Sequence, residues 1–153
     1  MTKTDSCDKA AKHSSGASVS ESGPAPCDRG RLLIVDDEAA ILSLFRLIIS
    51  AELPELRIDL AANGKQAVQE FTQGRHCVLL MDLHMPVMDG QLAFSRIRHV
   101  CSSRNWEMPS VVFCTGYAPP RSLVETLRDD DAHCLLSKPV SADTLVQTVR
   151  DKL

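Results

Sequence analysis

Polar residues stand at the ends of four apolar runs in this chain, and their types could hold a divalent cation beside a phosphoryl group. Asp36 and Asp37 follow Leu32-Leu33-Ile34-Val35, and Asp82 follows Val78-Leu79-Leu80-Met81. Thr115 ends Val111-Val112-Phe113-Cys114, and Lys138 follows Cys134-Leu135-Leu136-Ser137. Three carboxylates in one pocket repel each other unless a cation neutralises them, and oxygen-only ligation favours Mg²⁺. Lys138 would add a point charge suited to a phosphoryl oxygen, Thr115 a hydroxyl donor, and Gly116 room for a group at the site. An activated carboxylate beside Mg²⁺ and lysine is what phosphoryl transfer to an aspartate requires. Each residue also has an ordinary explanation. Asp36-Asp37-Glu38 could favour a helix N-terminus, Asp82 could be a loop or cap residue, Thr115 a strand end, and Lys138 a surface charge. Those explanations leave open why polar groups end all four runs.

The elements that would position these residues follow from the hydrophobic pattern. Each short apolar run reads as a strand buried on both faces. Ile41, Leu42, Leu44, Phe45, Leu47, Ile48 and Ile49 make a broad apolar helical face that closes near Pro54. Leu56-Arg57-Ile58-Asp59-Leu60 alternates like an edge strand, and Asn63-Gly64 turns into a helix carrying Ala67, Val68 and Phe71. Pro86 bars a helix after Asp82, and Asp89-Gly90 caps one that runs to about Cys101 with Leu92, Phe94, Ile97 and Val100. A polar connection over residues 102–108 contains Trp106. A helix from about Pro120 to Asp130 turns Leu123, Val124 and Leu127 inwards, and the last helix, from Ala142, carries Leu145, Val146, Val149 and Leu153. The pattern is (βα) five times over, a doubly wound α/β parallel sheet with helices on both faces. In such a sheet strands one, three, four and five end together near the topological switch point.

The chain of 153 residues suits one domain with a full core. A net charge of −3 gives no basic footprint for nucleic acid and no polybasic membrane patch. No apolar run approaches the roughly 20 residues of a membrane span. The polar start Met1-Thr2-Lys3-Thr4-Asp5-Ser6 has no secretory core, so the chain is expected to be cytoplasmic. Residues 1–29, rich in Ser, Gly, Pro, Lys and Asp, read as a disordered tail ahead of a domain over 30–153. Cys7, Cys27, Cys77, Cys101, Cys114 and Cys134 show no CxxC spacing and are expected to be thiols without zinc, with Cys7 and Cys27 the most exposed.

Val35-Asp36-Asp37-Glu38, Met81-Asp82-Leu83-His84-Met85-Pro86-Val87-Met88-Asp89-Gly90, Thr115-Gly116 and Lys138-Pro139 together resemble the receiver domain of two-component response regulators, from about Arg31 to Leu153. The resemblance implies a chemotaxis-regulator-like, flavodoxin-like fold with strand order 2-1-3-4-5. It implies that Asp82 is the phosphoacceptor, supplied by a phosphohistidine of a sensor histidine kinase or histidine phosphotransfer protein. It further implies Mg²⁺ held by Asp37, Asp82 and the backbone carbonyl of His84, with Asp36 acting through water. Thr115 and Lys138 would hold the phosphoryl oxygens, and movement of Thr115 would report phosphorylation. The chain would then be a regulatory domain that catalyses only its own phosphorylation and dephosphorylation. Its partner would be a downstream protein or an output domain for which residues 1–153 leave no room. A homodimer through the fourth helix, fifth strand and fifth helix is a further option.

The sequence departs from the family at the switch. Leu135 stands three residues before Lys138, where the family has Tyr or Phe, and His133-Cys134 replaces an acidic pair. Tyr117 is bulky for a position two residues after Thr115, and with His84 it is placed to control how water reaches an aspartyl phosphate. Two other readings compete. One is a phosphate-independent interaction module, which Leu135 keeps open although the complete acidic, threonine and lysine set argues against it. The other is an aspartyl-phosphate phosphatase, whose general acid two residues after the nucleophile is here replaced by His84.

Overall fold

A computed structural model describes residues 23–153 of the chain. Among the described residues, strands and helices alternate in the order β1 (Asp28–Val35), α1 (Ala39–Glu52), β2 (Arg57–Ala61), α2 (Gly64–Gly74), β3 (His76–Asp82), α3 (Gly90–Arg104), β4 (Ser110–Thr115), α4 (Arg121–Arg128), β5 (Cys134–Ser137) and α5 (Ala142–Lys152). The strands form one parallel sheet in the order β2-β1-β3-β4-β5, the doubly wound arrangement expected of the pattern.

The continuous apolar runs exist because both sheet faces are covered. Leu33 and Val35 of β1, Leu79 and Met81 of β3 and Phe113 of β4 point into a layer completed by Phe71, Phe94, Ile97 and Leu123 from α2, α3 and α4. Leu32, Ile34, Val78, Leu80 and Val112 point the other way, against Phe45 and Ile49 of α1 and Leu145 and Val149 of α5. The apolar stripe of α1 is narrower than its sequence suggests. Phe45 and Ile49 are buried, whereas Leu44 and Leu47 are exposed. Helix starts follow side-chain chemistry: Asn63, Asp89 and Ser141 each accept the backbone N–H three residues on.

Three expectations need correction. Residues 23–30 are ordered ahead of the expected start near Arg31, because residues 23–28 satisfy their backbone on the rest of the fold. Ala25 receives the Glu107 N–H at 2.8 Å and donates to the Asn105 carbonyl at 2.9 Å, and Asp28 donates to the Arg75 carbonyl at 2.8 Å. The tail expected over 1–29 therefore falls partly on ordered chain, and its first 22 residues lie outside the described residues. Second, Cys27 is half-buried and joined to Cys77 as a disulfide, where thiols were expected. The pairing spans 50 residues, so no local spacing announces it. Cys101, Cys114 and Cys134 are thiols, and burial pushes the first two up to about 11 and about 12. Third, α3 continues to Arg104 and closes on Asn105 in the left-handed region, so the polar connection is shorter. Trp106 packs edge-on to Phe71 at 6.3 Å, with the guanidinium of Arg75 4.4 Å from its ring centre.

His133 fixes the start of β5. Its Nδ1 accepts the Val111 N–H at 3.0 Å, and its ring meets Phe94 edge-on at 5.0 Å. Burial holds its pKa below the ordinary histidine value, although Asp130 opposes the shift. Burial does the same to His76, whose Nε2 lies 2.7 Å from Asp59. A histidine whose pKa is depressed by folding contributes stability above its unfolded value that is lost as pH falls below it. The urea midpoint is therefore expected to fall between about pH 7.5 and 5.5. His133→Gln should flatten part of that fall and cost about 1–2 kcal/mol at the upper pH by weakening the acceptor for Val111. A fall as steep in the variant as in the wild type would remove His133 from the account.

Candidate phosphoryl-acceptor site

The parallel register delivers the polar strand ends to one edge. Val35 of β1 is level with Met81 of β3, Asp82 with Cys114 of β4, and Thr115 with Ser137 of β5. The residues that follow, Asp36 and Lys138, therefore flank Asp82 and Thr115. A cleft of about 480 Å³ opens at this edge, and its walls include Asp37, Asp82, His84, Gly116, Tyr117 and Lys138, with Asp36 and Thr115 buried behind it and bonded to Lys138 and Tyr117. Glu38 also lines it, a residue the sequence suggested only as a helix-starting acid.

Charge is concentrated where water is scarce. Asp36 and Asp82 are buried, Asp37 is exposed, and oxygens of the three lie within 4.8 Å of one another. Lys138 Nζ donates to Asp36 at 2.7 Å and lies 3.7 Å from Asp82. The other Asp36 oxygen accepts the Glu38 N–H at 2.9 Å, turning the chain into α1. Burial raises the Asp82 pKa above the ordinary carboxylate value and Asp36 adds to the rise, while Lys138 and the backbone N–H groups of His84 and Leu83 oppose it. Burial disfavours the Lys138 ammonium, but its bond to Asp36 and the nearby carboxylates hold its pKa above normal. The lysine thus stays charged and the aspartate becomes more basic than a free one.

Thr115 is buried, and its Oγ1 accepts the Tyr117 N–H at 3.2 Å, which leaves the hydroxyl proton free to donate. Its carbonyl receives the Lys138 N–H at 2.8 Å, so the threonine and lysine are coupled through the backbone. Tyr117 is exposed and stands edge-on to His84, ring centres 4.9 Å apart. Leu135 is half-buried on β5, level with Phe113, and packs on the α2–α3–α4 layer.

The loop after Asp82 is held in a demanding shape. Val87 has φ of 71°, a left-handed conformation that costs a β-branched residue about 1–3 kcal/mol. Met88 donates to Pro86 at 2.7 Å and its carbonyl receives Gly64 at 2.9 Å, while Gly90 donates to the Leu83 carbonyl at 3.0 Å. A Cβ on Gly90 would strike the Asp82 carbonyl oxygen and come within 3.0 Å of the Leu83 Cα. Gly90 therefore does more than follow the cap at Asp89: it lets α3 begin directly against the backbone of Asp82.

A family model described as the response regulator receiver domain matches residues 32–150. The sensor protein GacS of Pseudomonas syringae pv. syringae is 34% identical over 133 residues, which cover 83% of this chain and 14% of that protein. The chemotaxis protein CheY of Bacillus subtilis is 25% identical over 123 residues, covering 80% of this chain and 97% of that protein. Among solved structures, the chemotaxis protein CheY4 of Vibrio cholerae aligns with a TM-score of 0.66 at 22% identity, covering 82% of this chain and 100% of that one. A CheY-like receiver domain from Methanospirillum hungatei aligns with a TM-score of 0.65 at 24% identity, over 82% of this chain and 94% of that one. The last two likenesses concern the fold.

The two glycines at this edge separate by experiment. Gly90→Ala should lower unfolding stability by roughly 1–3 kcal/mol through overpacking against rigid backbone. Gly116→Ala, whose added methyl would meet nothing within 4 Å, should stay within about 0.5 kcal/mol of wild type. Equal urea midpoints for the two variants would contradict the close approach at Asp82.

Proposed function

The chain belongs to the response regulator receiver family, and on that premise we propose that it is a phosphorylation-dependent switch in which Asp82 accepts the phosphoryl group. The observation that carries this reading is the placement of one charged lysine within 3.7 Å of a buried, desolvated Asp82 and 2.7 Å of Asp36, beside a free threonine hydroxyl.

An oxygen of Asp82 attacks the phosphorus of a phosphohistidine, and the imidazole nitrogen leaves. The donor is a sensor histidine kinase or a histidine phosphotransfer protein. Lys138 meets the phosphoryl oxygens with its ammonium and Thr115 donates its hydroxyl proton to them. Asp36, Asp37, Asp82 and the backbone carbonyl of His84 would hold Mg²⁺. The three carboxylates fit a hard cation because their oxygens converge and, among the described residues, only one lysine offsets them. When bound, Mg²⁺ supplies positive charge that offsets the phosphoryl oxygens.

Phosphorylation biases an equilibrium between two states. Thr115 turns towards the phosphoryl group and draws on its backbone bond to Lys138. Leu135, an aliphatic chain where the family has an aromatic, leaves that backbone link as the main route to β5. The output face comprises α4, β5 and α5 around the exposed Arg121, Glu125, Arg128 and Arg150. It meets a downstream protein, an output domain or a second copy of the chain; nucleic acid and membrane are not its partners. Among the described residues no helix is long and apolar enough to cross a membrane, and the reading places the chain in the cytoplasm. His84 and Tyr117 form a wall at the cleft that limits the approach of water to the aspartyl phosphate.

Intact-mass measurement after incubation with Mg²⁺ and acetyl phosphate should show one added phosphoryl group on the wild type. Asp82→Asn, or chelation of the metal, should abolish it. No gain from acetyl phosphate and none from a phosphohistidine donor would overturn the switch and leave the phosphate-independent interaction module that Leu135 keeps open. In the same assay Tyr117→Ala should lose its phosphoryl group several-fold faster, a barrier change of about 1 kcal/mol. An unchanged half-life would remove Tyr117 from the control of hydrolysis.

A further inference from the structure

We infer that Cys27 and Cys77 are a reversible thiol–disulfide site, a covalent latch that fastens the Gly23–Asp28 segment to the edge of the sheet opposite the Asp82 cleft. Their Cα atoms are 5.0 Å apart, inside the range a disulfide needs. That juxtaposition does not depend on the bond itself. The Cys27 N–H donates to the Glu107 carboxylate at 2.9 Å, and Asp28 donates to the Arg75 carbonyl at 2.8 Å. Ala25 is bonded on both sides, to Asn105 and Glu107, and the Arg75 guanidinium donates to the carbonyls of Ala25 and Pro26 at 2.8 and 2.7 Å. With these contacts intact the reduced sulfurs stay side by side, and their effective concentration for each other is high.

The two cysteines differ in a way that orders the chemistry. Cys27 is half-buried and open to a reagent, whereas Cys77 lies inside the fold at 3% exposure. The Cys27 thiolate attacks a low-molecular-weight disulfide, which forms a mixed disulfide and releases one thiol. The Cys77 thiolate then attacks the Cys27 sulfur and expels the second. Two electrons pass from the protein dithiol to the small disulfide, and the two protons lost by the cysteines end on the two released thiols. An excess of small dithiol reverses both steps. Cys101 and Cys114 do not compete, because both are buried and both are harder to deprotonate than a free thiol.

The test uses the full chain, treated with oxidised glutathione or with dithiothreitol, then acid-quenched, denatured and alkylated. The reduced protein should carry alkyl groups on all six cysteines and the oxidised protein two fewer, with peptide mapping joining Cys27 to Cys77. Oxidation should also raise Tm by about 10 °C in the wild type, since the bond closes a span of 50 residues, and by nothing comparable in Cys27→Ala. Four results would overturn the latch: both cysteines still alkylated after oxidation, a persistent glutathione adduct on Cys27, Cys77 joined to a different cysteine, or zinc retained by Cys27, Cys77 and Glu107. None of these readouts involves Asp82, so they stand apart from the fate of the phosphorylation reading.

Discussion

Asp36 and Asp82 could not share a buried edge of the sheet without Lys138. Two carboxylates removed from water repel each other, and each loses hydration that nothing apolar can replace. A single ammonium at 2.7 Å from one and 3.7 Å from the other makes the arrangement tolerable without neutralising it. Asp37 adds a third negative charge within reach. The balance remains negative, and that residual charge suits the cleft to the proposed cation. The site is thus built on an incomplete neutralisation. Its parts are kept in place by a fold that tolerates the repulsion, at some expense in stability of the kind active sites commonly show.

The fold tolerates it because β1, β3 and β4, covered on both faces, are rigid and stay buried up to their last residue. Each strand is anchored from both sides by alternate side chains, and the polar residue that follows has nowhere to go but the edge. Register then does the positioning. The ends of β1, β3, β4 and β5 are level to within a residue, so Asp36, Asp82, Thr115 and Lys138 converge although they lie up to 102 residues apart. The β3–α3 loop carries the same logic into the backbone. Strain at Val87 and the absence of a side chain at Gly90 allow α3 to begin against the carbonyl of Asp82.

Much of this was legible in the sequence, and for a definable reason. Apolar runs that stop on a polar residue encode both a two-sided strand and the position of its end, so the order of elements and the placing of Asp36, Asp82, Thr115 and Lys138 at one edge could be read directly, whereas Glu38 in the cleft wall could not. What escaped had no such signature. The Gly23–Asp28 segment is held by backbone hydrogen bonds, which any residue can make, and its composition resembles a solvated tail. The Cys27–Cys77 pair is invisible at a separation of 50 residues. Leu44 and Leu47 look like core on the helical wheel but are exposed, while Phe45 and Ile49 are buried and Ile41, Leu42 and Ile48 pack against the same layer half-buried. The role of Gly90 was hidden behind its more familiar place after a capping aspartate. That Lys138 lies closer to Asp36 than to Asp82 is likewise a matter of side-chain reach that no pattern reports.

The residual negative charge of the cleft is the central claim, and a Mg²⁺ titration followed by amide NMR tests it most directly. The account predicts saturable shifts at Asp36, Asp37, Glu38, Leu83 and His84, weakened about tenfold or more in Asp37→Asn, roughly 1.4 kcal/mol of binding free energy. Amides that do not respond to millimolar Mg²⁺, or a response that the variant leaves unchanged, would contradict it.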